Sequence, residues 1–416
     1  PPAEVPRRPT APRPGGQGGA RAAEAAPVPN PSLPTSPSVP PQASEDLTDP
    51  SPAALVDREG VRTGVDDALH ASTAALRAEL AGTHPDTDLL ADATQELLAG
   101  GKRLRAAFCY WSWRAHGGDA AGPHRTTVLR AGAALELFQA AALFHDDVMD
   151  SSDTRRGRPT AHRAFAARHR DLGWSGDGAR YGENAAILLG DLALIASHRE
   201  LGDALDDLAP AVATRSRRVF GRMQTEVTAG QYLDVHAQVL PWGEDPAADE
   251  ERARAVIRSK SARYSVEHPI ALGAALAGAD DDAVAATSAF GLPVGEAFQL
   301  RDDVLGVFGD AQVTGKPAGD DLREGKRTVL VVRALAAATP AQRELLLTHL
   351  GDPDLDPATV EDLRAVLVET GARDAVESLI AELTERAAAA LDGAGLAEPG
   401  ATMLALLARA AVERTA

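Results

Sequence analysis

Three aspartates close the segment Leu143-Phe-His-Asp-Asp-Val-Met-Asp150, at positions i, i+1 and i+4. On a helix, Asp146 and Asp150 stack one turn apart on one face, and Asp147 lies about 100° round. The run before them, Ala140 to Phe144, is apolar, so charges buried beside it need a counter-ion. A hard cation such as Mg²⁺ meets that need, because it takes oxygen ligands and keeps positions open for phosphate. A second acidic group begins in Phe298-Gln-Leu-Arg-Asp-Asp303 and ends at Asp310. Asp303 and Asp310, seven apart, share a helical face, with Asp302 adjacent. The candidate metal carriers are therefore Asp146, Asp147, Asp150, Asp302, Asp303 and Asp310. One acidic helix end alone reads equally well as solvated surface. Two such helices facing each other, with Arg155-Arg156-Gly157-Arg158 directly after the first, make a site for several Mg²⁺ ions and a bound diphosphate.

The cations carry a second signal. Of 42 Lys+Arg only four are lysine: Lys102, Lys260, Lys316 and Lys326. The abundance of Ala, Arg and Gly reads as compositional bias, so a retained lysine marks a position where Arg does not serve. Lysine is a compact point charge that can enter a crowded phosphate site, whereas Arg presents a broad planar fork.

Elements able to position these groups are helical. Val61, Val65, Leu69, Leu76 and Leu80 fall at helix spacing, with only the Ser72-Thr73 step polar. Further helices are expected at 87–99, 102–116, 124–150, 158–169, 183–203, 209–239, 249–277, 280–310, 326–336, 340–350, 357–370, 374–392 and 399–414. No convincing run of alternating β-branched residues occurs, and with 4% aromatic residues the core should be mostly Ala, Leu and Val. The expectation is an all-α fold, one large helical bundle over 53–416. Residues 1–52 hold 15 of the 28 prolines and lack apolar content, so a disordered Pro-rich tail is expected there.

Bulk composition sets limits. The 416 residues suffice to bury a sizeable core. With 60 Asp+Glu, the net charge of -18 argues against a general nucleic-acid binder. A single cysteine, Cys109, forms no internal disulfide, which points to the cytoplasm. No apolar run is expected to span a membrane, and no signal segment opens the chain. A chain starting at Pro1 rather than Met is expected to have been processed or trimmed.

From about Gly100 to Thr328 the sequence resembles the trans-isoprenyl diphosphate synthases of the polyprenyl synthetase family, bacterial geranylgeranyl diphosphate synthases among them. Gly100-Gly-Lys-Arg-Leu-Arg105 resembles the family's GGKRLR, and Asp146–Asp150 with Arg155-Arg156-Gly157 its first aspartate-rich motif and trailing RRG. Gly230-Gln231 with Asp234 resembles GQxxD, Lys260-Ser261 the family's KT, and Phe298 to Asp303 the second aspartate-rich motif. Thr314-Gly-Lys-Pro-Ala-Gly-Asp-Asp321 and Gly325-Lys-Arg-Thr328 resemble the closing segments, so all four lysines fall inside these motifs. The resemblance implies a Mg²⁺-dependent prenyltransferase, with three ions per active site, that condenses isopentenyl diphosphate head-to-tail with an allylic diphosphate. It implies catalytic roles for Asp146, Asp150, Lys260 and Asp302. Isopentenyl diphosphate would be held by Lys102, Arg105, Gln139 and Arg156. The allylic diphosphate would meet Arg155, Gln231, Asp234, Lys260, Ser261, Gln299, Lys316 and Lys326. A homodimer is implied, and the tail is a candidate docking peptide of the kind that loads some bacterial synthases into encapsulin protein shells, or an inert linker.

Two departures stand out. Gly306 occupies the fifth position of the second motif, where the family usually has Asp, and Gln139 stands where the family often has His. Product length in this family is set on the helix before the first motif. Ala141 and Ala142 are too small to floor a pocket, and Phe138 lies one turn deeper, so a C20 product, geranylgeranyl diphosphate, is expected. A farnesyl or longer-chain synthase is the alternative. A class I terpene cyclase leaves GGKRLR unexplained and would need an Asn/Ser/Glu triad that Asn184 does not anchor. A non-catalytic partner subunit would usually lose the first motif. His145 reads as a structural hydrogen-bonder beside Asp146.

Overall fold

The computed structural model describes residues 52–242, 245–309 and 319–413. The tail, Asp310 and Lys316 lie outside the described residues.

Helices make up almost all of what is described. The first five are α1 (Pro52–Val56), α2 (Val61–Ala81), α3 (Asp88–Leu98), α4 (Leu104–Ala115) and α5 (Arg125–Met149). A hairpin of two-residue strands follows, β1 (Thr154–Arg155) and β2 (Arg158–Pro159), then α6 (Ala161–Asp171), α7 (Gly178–Leu205) and α8 (Pro210–Val239). Next, α9 (Pro246–Val256) runs through a π-helical stretch, Ile257–Glu267, into α10 (His268–Leu276). After these come α11 (Asp281–Phe308), the short α12 (Asp320–Arg323) and α13 (Val329–Ala337). The last helices are α14 (Pro340–His349), α15 (Pro357–Glu369), α16 (Ala372–Gly393) and α17 (Gly400–Val412).

Local chemistry sets many of the boundaries. Asp177 accepts from the Ala179 and Arg180 amides and starts α7 five residues before the expected point, and Asp280 caps α11 through Ala283. The Thr328 side chain accepts from Val331, so the helix expected from 326 begins at Val329. Gly309 turns extended and ends α11 at Phe308, short of Asp310. The helix expected from 158 is preceded by the hairpin: Arg156 (φ 53°) and Gly157 (φ 73°) form a two-residue turn that returns the chain on itself.

Helix α5 runs through the middle, packed by α2, α4 and α7, while α11 packs on the π-helical stretch and on α16. Along α5, Ala131, Ala133, Ala134, Leu135, Leu137, Ala140 and Ala141 are buried, as an alanine-rich close packing requires. Aromatics, scarce overall, concentrate on α4, where Phe108, Tyr110, Trp111 and Trp113 are all buried. The polar step in the α2 stripe is satisfied: the Thr73 hydroxyl donates to the Leu69 carbonyl at 2.8 Å. One expectation is corrected. Among the described residues α5 is long and apolar enough to cross a membrane by length and composition, but 72% of its most apolar window is buried inside the bundle. Its hydropathy comes from packing on every side, as expected of a central core helix.

Candidate active site

The C-terminal end of α5 carries the first acidic cluster. Its carboxylates meet three cations delivered by three other segments. Lys260, on the π-helical stretch, places its ammonium 2.9 Å from Asp146 Oδ1 and 2.6 Å from Asp234 Oδ2 on α8. Arg155, brought back by the hairpin, donates from Nε to Asp147 Oδ1 at 2.6 Å and lies 3.5 Å from Asp146 Oδ2. Lys326, after α12, sits 3.8 Å from Asp150 Oδ2 and 3.6 Å from Asp321 Oδ1, and pairs with Glu324.

Backbone geometry explains how Lys260 reaches this point. A Cβ at Gly230 would lie 2.7 Å from Lys260 Cα, so only glycine lets α8 touch the π-helical backbone there. Asp234, one turn on, then falls beside the ammonium. The wider π turn recurs at functional sites because it re-aims side chains within a continuous helix. Buried Glu296 of α11 fastens it, accepting from Arg254 at 3.1 Å and Arg258 at 3.2 Å.

The second cluster lies on α11. Gln299 donates to Asp303 Oδ1 at 2.8 Å, with Asp302 half-buried beside it. At the mouth, Arg105 donates to Ser265 Oγ at 2.9 Å and covers the Tyr264 ring at 4.3 Å, while its buried Nε has no hydrogen-bond partner. Partial desolvation lowers the Arg156 guanidinium, as does repulsion from Arg103, Arg155 and Arg105, against the pull of Glu136. That is a cationic group short of anions. Lys102 is exposed on the loop before α4, and Gln139 lies half-buried on α5. Gln231 reaches the Met149 sulfur at 3.5 Å, and Ser261 follows Lys260 on the π stretch. His145 Nε2 lies 3.1 Å from the Ile187 carbonyl, a structural contact.

Electrostatics divides the carboxylates. Burial works to raise Asp146, but Lys260 and Arg155 overcome it and hold the carboxyl below its usual range. Burial, then the charge of Asp146, pushes Asp150 up to about 6, against Lys326 and Lys260. Burial, then repulsion from Asp321, pushes Asp303 up to about 8. Lys260 and Lys326 are held charged by the surrounding carboxylates despite burial. Among the described residues no three acidic, histidine or cysteine side chains converge to hold a metal on their own. The donor set nevertheless fits Mg²⁺, which uses one or two carboxylates and completes its shell with water and substrate phosphates. The raised Asp150 and Asp303 are hard oxygen donors with incomplete cationic compensation.

A pH dependence follows from the two raised groups. Both exceed the unfolded carboxylate value of about 3.9, so the folded chain without divalent ion holds extra protons. Its stability should decline from about pH 4, through about 6 for Asp150 and about 8 for Asp303. Mg²⁺ needs these groups ionised. It should therefore raise the melting temperature more at pH 8 than at pH 6, and release protons on binding. Equal stabilisation at both pH values in thermal melts would contradict the assignment.

Comparison with known proteins identifies the architecture. The polyprenyl synthetase family model matches residues 87–367. The chain belongs to the polyprenyl synthetase family. Among relatives, the geranylgeranyl diphosphate synthase of Mycobacterium tuberculosis is 33% identical over 304 residues, 73% of this chain and 78% of that protein. The geranylgeranyl diphosphate synthase of Saccharolobus solfataricus is 33% identical over 265 residues, 64% of this chain and 71% of that protein. Among solved structures, the geranylgeranyl pyrophosphate synthase of Corynebacterium glutamicum, complexed with isoprenyl diphosphate and magnesium, superposes with a TM-score of 0.79 at 38% identity. It covers 86% of this chain and 99% of that one.

Several residues that build the polyprenyl synthetase site went unremarked in the sequence. Arg103 is the chief one: buried, with φ 54°, it donates to Asp66 at 2.7 Å and the Leu98 carbonyl at 2.6 Å, and meets Glu136 at 3.3 Å. It anchors the Lys102–Arg105 loop from below. Glu296 and Tyr264 were missed as well; neither has a local pattern, since their partners come from other helices.

Proposed function

We propose that the protein joins isopentenyl diphosphate head-to-tail to an allylic diphosphate, giving geranylgeranyl diphosphate. The observation that carries this reading is the pairing of two differently charged places. The carboxylates of α5 and α11 are laced by Lys260, Arg155 and Lys326, and an anion-poor cationic mouth of Arg105 and Arg156 stands apart from them.

The chemistry follows from the side chains. Bound Mg²⁺, three ions on the family pattern, held by Asp146, Asp150 and Asp302 with Asp147 and Asp303 in support, supplies charge neutralisation for the leaving diphosphate. Lys260, Lys326 and Arg155 hold that diphosphate as its C–O bond breaks and the electron pair leaves with it. Asp234 acts through Lys260, whose ammonium it positions, and Gln299 positions Asp303. Gln231, Ser261 and Lys316 complete the allylic side. The apolar wall of Phe138, Ala141 and Ala142 keeps water from the allylic cation. Lys102, Arg105, Arg156 and Gln139 orient isopentenyl diphosphate so that its double bond forms the new C–C bond. The proton then leaves for the departed diphosphate.

The proposed assembly is a homodimer in the cytoplasm. Helix α7 supports it by exposing Ile187, Leu188 and Ile195 along one face. The tail is proposed to dock to a partner such as an encapsulin shell, so that deleting 1–52 leaves turnover intact.

Product analysis with isopentenyl diphosphate, Mg²⁺ and each of the C5, C10 and C15 primers tests the reading. Condensation ending at C20 is expected. No condensation would overturn the function, and a different stop would overturn the product assignment alone.

A further inference from the structure

Gly306 is the position where α11 breaks the family's second aspartate motif. The space it leaves is taken. A Cβ built on Gly306 would overlap Asp321 Oδ2 and lie 2.7 Å from Asp321 Cγ. Asp321 belongs to α12, a different segment, so its carboxylate enters the α11 face from outside the motif. Its placement is fixed from both sides. Leu322 beside it is buried in the apolar cluster of Val329 and Leu363, and its carbonyl accepts from the Gly351 amide at 2.9 Å. The Lys326 amide donates to the Asp321 carbonyl at 3.0 Å. The Lys326 ammonium stands 3.6 Å from the Asp321 carboxylate and 3.8 Å from that of Asp150, so one cation spans Asp321 and the first cluster. Asp303, on the other side, feels the Asp321 charge directly.

We infer that Asp321 supplies, from α12, the carboxylate that the second cluster lacks at Gly306, and that Gly306 is glycine because it must admit that carboxylate. The inference rests on the prenyl-transfer reading and extends it: the chain keeps the acid count on the α11 side by moving one acid to another segment. An aspartate at both places would set two carboxylates in overlapping space, and an aspartate at neither would leave the α11 side one carboxylate short of the family pattern.

Relocating the acid tests this. Mn²⁺ binding in the presence of inorganic diphosphate, read by electron paramagnetic resonance, is measured for the full chain and four variants: Asp321→Asn, Asp321→Ala, Gly306→Asp, and Gly306→Asp with Asp321→Ala. Asp321→Asn and Asp321→Ala are each expected to weaken Mn²⁺ binding about ten-fold, and the double variant to return to within about three-fold of the parent. Gly306→Asp alone should bind worse than the double variant. Metal-free melting curves should show Asp321→Asn folded, because it keeps the side-chain volume and removes a repulsion from Asp303. Parent-like Mn²⁺ affinity in Asp321→Asn would overturn the inference while leaving the function standing. So would a double variant no tighter than Asp321→Ala, or unfolding of Asp321→Asn, which would make Asp321 structural. A parent chain that binds no Mn²⁺ with diphosphate would overturn the prenyl-transfer reading itself.

Discussion

Replacing Asp146 with asparagine is expected to lower kcat by about 10³-fold or more, the scale of losing one charge-stabilising group from a pre-organised site. Asp146 stands between two of the three cations that lace the carboxylates, Lys260 at 2.9 Å and Arg155 at 3.5 Å. Its Oδ1 is buried and, although close to the Lys260 ammonium, not in hydrogen-bonding alignment with it. That oxygen is therefore available to a cation other than lysine. Asparagine keeps the volume and removes the charge. The fold should tolerate the change, because Lys260 retains Asp234 at 2.6 Å and Arg155 retains Asp147. Neither cation is left buried alone, the condition that makes breaking an ion pair expensive. Steady-state incorporation of isopentenyl diphosphate, with a melting curve as control, checks both halves. A kcat within ten-fold of the parent would remove Asp146 from the chemistry. A collapsed melting temperature would mean that it holds the bundle together instead.

What the sequence revealed and what it hid have separate physical causes. Asp146, Asp150, Lys260 and Lys326 were legible because a helix fixes the relative place of residues within one turn, and because rare lysines marked their own positions. The helical bundle was legible from the apolar stripe of α2 and the long alanine-rich α5. Gly230 was quoted only as part of a motif; its reason, contact with the backbone at Lys260, belongs to a helix 30 residues further on. The π-helical turn left no mark in periodicity, because 3.6 and 4.4 residues per turn diverge little over a single turn. Arg103 reads as one more surface cation until Asp66, Glu136 and Leu98 close round it. Gly306 looked like a lost ligand, and only tertiary structure brings the Asp321 carboxylate to it. Local spacing reports the first ring of a site; whatever a second segment supplies stays silent.

Replacing Phe138 with alanine should move the main product from C20 to about C25, one prenyl unit longer, the depth of one helical turn of about 5.4 Å. Phe138, Ala142 and Asp146 follow one another at four-residue steps on α5. The ring therefore lies about 12 Å along the axis from the carboxylate that marks the reacting end. Ala142 and Ala141 between them offer no bulk, so Phe138 is the first large side chain that a growing chain meets on this face. Phe220 and Tyr264 stand edge-on to the ring, each with its centroid 6.2 Å away. They limit the effect: removing Phe138 opens a space closed by two further rings, so the product should step rather than run on without limit. Tyr264 also supports Arg105 at the mouth, and leaving it in place keeps the isopentenyl diphosphate side intact. The alanine variant sacrifices about 3–5 kcal/mol of core packing. Phe138→Leu, which retains most of the volume, is the companion that should stay near parental stability and shift the product less. Chromatography of the dephosphorylated products separates the outcomes. An unchanged C20 stop in a folded Phe138→Ala protein would place the floor elsewhere on the wall, and a graded shift from Leu to Ala would fix it at this ring.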